Sequence, residues 1–214
     1  MNRKTLSVMA AALAAAVLLA GCAGTDVVAQ YAPKSLDDIA AAQPELVNAA
    51  GGVFTFSTDG QTSLTVNTDF SAGGDDVVFA TPIAPFLSAG LDPAKLPDGY
   101  RADGAALVIA SDFGSVKGTA DSFSAALFQA VKADRAALGY HTELDHYGIK
   151  LHGGKFEWAK DYKTNDKDIV FVVAAKPLAD LGVDVQAIDG WVFKTMGEPD
   201  GSKVDVLLLP YDLP

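Results

Sequence analysis

The chain has 214 residues, half of them hydrophobic, with 27 acidic side chains, 16 basic ones and one cysteine. That length accommodates one ordinary domain or two small ones. A net charge of −11 disfavours nucleic acid and anionic lipid headgroups as partners, and the lone cysteine excludes an internal disulfide or a thiolate metal cluster.

Arg3 and Lys4 come first, followed by an uncharged apolar run from Leu6 to Ala20. The run is shorter than the roughly 20 residues a straight helix needs to cross a bilayer. It has the length and flanks of a signal-peptide core, removed in the mature protein as residues 1–21. The run closes on Leu19-Ala20-Gly21-Cys22, which resembles the lipobox of bacterial lipoprotein precursors. This resemblance covers only the first two dozen residues. It implies cleavage before Cys22, transfer of a diacylglyceryl group to the Cys22 thiol, and attachment to a membrane through that lipid. The alternative is an ordinary secretory leader with an incidental cysteine. Each buried acyl methylene contributes about 0.8 kcal/mol, so two or three chains anchor a protein stably. Ala23, rather than Asp, follows Cys22. By the same resemblance this implies the outer membrane in a Gram-negative host, and otherwise the outer face of the plasma membrane. Without its leader the chain loses Arg3 and Lys4, and its net charge becomes about −13.

Residues 22–34, ending in AQYAPK, show no clean period and read as a tether between lipid and fold. The next segment, SLDDIAAAQPELVNAA, has a helical pattern interrupted by Pro44. FTFSTDGQTSLTVN places Asp59-Gly60 between two alternating runs, a hairpin signal. VVFA is a continuous apolar run, as in a strand buried on both faces. Pro85 can open a short helix that Gly90 closes. Asp98-Gly99 reads as a turn, and AALVIAS as a final strand.

The same series then recurs. TADSFSAALFQAVKADRAALGY spaces Phe123, Leu127, Val131 and Leu138 as a helix that Asp121 or Ser122 can cap and Gly139 ends. YGIKLHGGKFEWAKDY reads as a hairpin around Gly153-Gly154, IVFVVA as a buried strand, PLADL as a short helix and VDVLLLP as a final strand. A shift of 92 residues superposes Asp76 on Asp168, Phe79 on Phe171, Pro85 on Pro177, Gly90 on Gly182 and Asp92 on Asp184. Each shared residue has a local role as turn, cap or core, so the paired aspartates read as structural rather than as an acid site. A period this long suits a duplicated domain rather than a solenoid. The expected fold is therefore α+β. Two tandem, structurally similar repeats, residues 35–118 and 119–214, have mainly antiparallel strands and pack together. Ligand grooves often form at such joints.

No nucleophile elbow, metalloprotease, Walker or dinucleotide motif is present. All three histidines lie in HTELDHYGIKLH. In an extended segment His141, Glu143 and Asp145 would share a side. With His146 they form a candidate set for zinc or another divalent ion, though linkers also gather polar residues. Trp158, Tyr162 and Trp191 could form an aromatic surface for sugars or peptides, or pack in the core. The leading expectation is a membrane-anchored envelope lipoprotein with no enzymatic activity and no cofactor. It would bind a protein, peptide or small molecule. A metal-binding lipoprotein and an envelope hydrolase are the alternatives.

Overall fold

The computed structural model describes residues 20–68, 75–114, 120–141, 144–162, 167–197 and 202–213. The leader up to residue 19, and Glu143 of the candidate metal set, lie outside them. Among the described residues no helix is long and apolar enough to cross a membrane.

Among the described residues, twelve strands and four α-helices form two tandem units of the same design. The first sheet contains β1 (Val47–Ala50), β2 (Val53–Ser57), β3 (Ser63–Asn67), β4 (Val77–Pro82), β5 (Tyr100–Asp103) and β6 (Ala106–Ser111). The second contains β7 (Leu138–His141), β8 (His146–Leu151), β9 (Gly154–Ala159), β10 (Ile169–Ala174), β11 (Val192–Gly197) and β12 (Lys203–Tyr211). Spatial order is β1-β2-β3-β4-β6-β5 in one and β7-β8-β9-β10-β12-β11 in the other. All pairings are antiparallel, and the sixth strand of each sheet inserts between the fourth and the fifth. Helix α1 (Ala20–Ala42) precedes the first sheet and α3 (Phe123–Ala130) the second. Short helices α2 (Ala84–Ser88) and α4 (Ala175–Asp180) follow the fourth strand of each unit.

The repeated residues do the repeated work. Gly90 and Gly182 have φ of 102° and 87°. Leu91 N–H bonds back to the Phe86 carbonyl, and Val183 N–H to that of Leu178, which closes α2 and α4 in the same way. Asp92 and Asp184 each accept a backbone N–H two residues on, from Ala94 and Gln186. Asp76 and Asp168 are buried before the central strands. Asp76 accepts the N–H of Phe113 at 2.7 Å and Asp168 that of Leu213 at 2.9 Å, each fixing the chain as it leaves the sixth strand.

The two sheets turn their aromatic faces toward each other. Across the first, Phe56, Leu64, Phe79, Ile109 and Tyr100 lie in one register row; across the second, Ile149, Phe156, Phe171 and Leu209 do. These residues belong to one continuous core, in which Phe56 meets Phe156 at 5.7 Å and Phe79 meets Phe171 at 5.3 Å between centroids. The N-terminal helices are exchanged. α1 packs against α3 and against β7, at the edge of the second sheet, while α3 packs on β2 and β3 of the first. The Ser35 hydroxyl donates to the Ala159 carbonyl at 2.6 Å, and Gln43 to the Tyr162 hydroxyl at 2.8 Å.

Four local expectations need correction. Helix α1 takes in the segment expected as tether, since Val28 and Ala32 join Leu36 and Ile39 on its buried side. That burial outweighs the hydrogen bond lost at Pro33, which lies inside the helix. Beyond Pro44 the chain turns once in a 3-10 helix and becomes β1 rather than continuing as helix. α3 stops at Ala130 and passes into two 3-10 turns, Val131–Ala133 and Arg135–Ala137, with the Asp134 carboxylate accepting the N–H of Ala136, and Leu138–His141 pairs with β8 as an edge strand. β10 is buried on both faces, with Val170 and Val172 in a satellite cluster beside Met196, Val206 and Leu208. β4 instead alternates between buried and half-buried residues.

Candidate functional site

A cleft of about 740 Å³ lies where the two units meet. One wall is the exit of β6, with Ser111, Asp112 and Phe113; the other is the tip of the β8–β9 hairpin, with Lys150 and His152. Asp75 and Asp134 stand at its rim.

The cleft exists because two turns from different repeats interlock beside it. The exposed His152 donates its backbone N–H to the Ser111 hydroxyl oxygen at 2.8 Å. Its ring Nε2 lies 2.8 Å from the Asp98 carbonyl. A carbonyl can only accept, so Nε2 carries the proton and Nδ1 is the basic nitrogen of the neutral ring. The ring packs edge-on to Tyr100 at 5.9 Å, and the Tyr100 hydroxyl donates to the Gly153 carbonyl at 3.3 Å. Glycine is required at Gly99 and Gly153. Both have positive φ, and a Cβ would run into the His152 imidazole at the first and the Tyr100 ring at the second.

Charge in the cleft is mostly negative. The exposed carboxylates of Asp75, Asp112 and Asp134 face one lysine, Lys150. Asp75 is paired with Arg101 at 2.8 Å, and Asp112 accepts the N–H of Gly114 at 2.7 Å. Behind this wall, burial raises the carboxyl pKa of Asp76 above its ordinary value. The Phe113 amide opposes that rise, and Asp112 and Asp75 add to it. Burial also pushes the Tyr100 hydroxyl up to about 12.

The corresponding corner of the other repeat is built differently. Ser111 faces Val77 across the sheet, and Tyr211 faces Ile169, the repeat equivalent of Val77. Tyr211 therefore stands where Ser111 does, and its hydroxyl reaches Asp59 Oδ2 at 2.9 Å in the β2–β3 turn. At this corner a phenol bridges to the hairpin turn, where the first repeat has a hydroxymethyl.

The residues singled out from sequence only partly come together. His141 and His146 are direct cross-strand partners on β7 and β8, and His141 Nδ1 lies 3.5 Å from Oε2 of the buried Glu157. Asp145 turns instead to the Tyr140 hydroxyl and Lys160. Among the described residues no three His, Cys, Asp or Glu side chains are grouped so as to hold a metal ion. Of the two readings of the aromatic residues, packing describes Trp158 and Trp191. Trp158 is fully buried against Phe128 and Phe156, and Trp191 lies against Phe79 and Phe86 of the first repeat. Tyr162 accepts its bond from Gln43. From sequence, His152 is only one of three clustered histidines, and Ser111, Asp112 and Lys150 carry no motif. The available signal was the mismatch of Ser111 with Tyr211, hidden because the last strands fall outside a constant 92-residue shift.

No protein-family model, curated protein or solved structure matches the chain.

Proposed function

We propose that this is a lipid-anchored envelope protein whose body is a non-enzymatic binding module, with the inter-repeat cleft as its ligand site. The lipobox-like Leu19-Ala20-Gly21-Cys22 supports the anchor. The observation that carries the binding role is the divergence of two equivalent corners, one bridged by Tyr211 to Asp59 and the other, with Ser111, lining the cleft. Duplication places like surfaces on both units, and opening one of them gives a single site whose walls come from both. Mixed carboxylates with one amine and an imidazole suit a small polar ligand bearing a cationic group.

A non-catalytic role fits the contacts of the serine. Ser111 Oγ is held by the backbone amide of His152, while the ring's protonated nitrogen is directed to Asp98. A nucleophilic serine needs a base at its own hydroxyl.

The test is amide chemical-shift mapping of the mature protein with a fragment set of amines, sugars and short peptides. Hits are expected to move Ala110–Phe113 and Lys150–His152. Ala136, exposed on the cleft lining, can be replaced by Trp to fill the space, and Ala136→Trp is expected to abolish those shifts without unfolding. Hits that scatter elsewhere, or survive Ala136→Trp unchanged, would remove the cleft as the ligand site.

A further inference from the structure

Helix α1 exposes two large apolar side chains on one side. Val27 is 48% and Tyr31 50% exposed. Four residues apart, they share one side of the helix. Val28, Ala32, Leu36 and Ile39 take the other side into the core. The helix is already formed at Ala20, so Cys22 lies on it.

We propose that this side of α1, centred on Val27 and Tyr31, rests on the lipid headgroup layer and fixes how the body faces the membrane. The inference rests on lipid attachment at Cys22, as proposed above. Its force comes from length. A free 12-residue tether could extend to roughly 40 Å. A helix from Cys22 to the buried Val28 spans only about 9 Å. Acyl chains on Cys22 therefore bring the next exposed turn to headgroup depth. There a tyrosine places its ring against acyl carbon and its hydroxyl in water. The occupant is the bilayer itself, a zwitterionic surface being the suitable one for so acidic a body.

The acylated protein offers no other thiol, so one added cysteine labels uniquely. Gln30→Cys sits on the exposed side of α1, and Asp103→Cys in β5 serves as the distant control. Each carries an environment-sensitive fluorophore, in phosphatidylcholine vesicles doped with a nitroxide near the headgroup. Quenching is expected to be several-fold stronger at position 30 than at 103, and Val27→Ser with Tyr31→Ser is expected to bring position 30 down to the control. Equal quenching at both positions, in protein whose intact mass shows the lipid, overturns the proposal. So does a vesicle-independent blue shift that grows with protein concentration, which would assign the surface to a second copy. An intact mass showing bare Cys22 in native membranes sinks the anchor itself and this surface with it, and is told apart by the missing lipid mass.

Discussion

The rings of Phe79 and Phe171 lie 5.3 Å apart, and the two are the same residue of the two repeats. Residues related in this way meet only at the pseudo-twofold axis between the units. Gly90 and Gly182 mark it again, the carbonyl of one lying beside the α-carbon of the other, and Asp184 N–H donates to the Ala89 carbonyl at 2.8 Å. The repeats therefore share one core instead of owning two.

Removing either ring leaves a cavity on that axis. Phe79→Ala and Phe171→Ala are each expected to cost about 3–5 kcal/mol in urea unfolding. A double-mutant cycle is expected to show coupling of about 0.5–1.5 kcal/mol. Residues 35–118 expressed alone are expected to show no cooperative transition by circular dichroism, because their aromatic face has lost its cover.

Asp76 gives a pH test with a definite sign. Its raised pKa means the folded protein holds that proton more readily than the unfolded chain does. Its ionisation therefore opposes folding, and its contribution to stability rises as pH falls from its folded value to the ordinary 3.8. Asp76→Asn retains an acceptor for Phe113 without the charge. It is expected to match or exceed the parent at neutral pH in denaturant titrations, with the gain fading toward pH 4. Asp76→Ala orphans the Phe113 amide and is expected to lose about 1–3 kcal/mol at either pH.

Tyr100 behaves differently at the alkaline end. Its hydroxyl ionises near 12 when folded, against 10 when free. The contribution is complete below pH 10 and is lost as pH rises from 10 to 12. Two units correspond to about 2–3 kcal/mol as an order of magnitude. Melting temperature is expected to fall faster over that interval in the parent than in Tyr100→Phe, whose only cost at neutral pH is one hydrogen bond of about 1 kcal/mol.

The interlocked turns separate stability from site geometry. Gly153→Ala forces a Cβ into buried Tyr100, beyond the 1–2 kcal/mol or so of a left-handed backbone alone. It is expected to lower the melting temperature strongly. Gly99→Ala meets the imidazole of His152, which is exposed and can swing aside. A milder loss of stability is expected there, together with displaced ring resonances of His152 in proton NMR.

The duplicated plan was legible from local chemistry, because Gly90 and Gly182, Asp92 and Asp184, and Phe79 and Phe171 each act within their own turn or strand. The edge strands were not. Val47–Ala50 and Leu138–His141 are short, mostly exposed and rich in alanine or glycine, and sheet pairing makes them strands where their own pattern does not. Residues 22–34 read as tether because Val28 and Ala32 find their burial only in the finished fold. The cleft escaped the sequence for the same reason. His141 and Asp145 are close in sequence and face different neighbours, while Ser111 and His152 meet only after the fold is complete.

The exchange of α1 and α3 also orders events in time. A chain delivered from its N-terminus emerges with the apolar stripe of α1 long before β7 exists to receive it. The first sheet likewise waits for α3. Neither unit can bury its full core alone, so the nascent polypeptide stays open until the strands of the second sheet are in place.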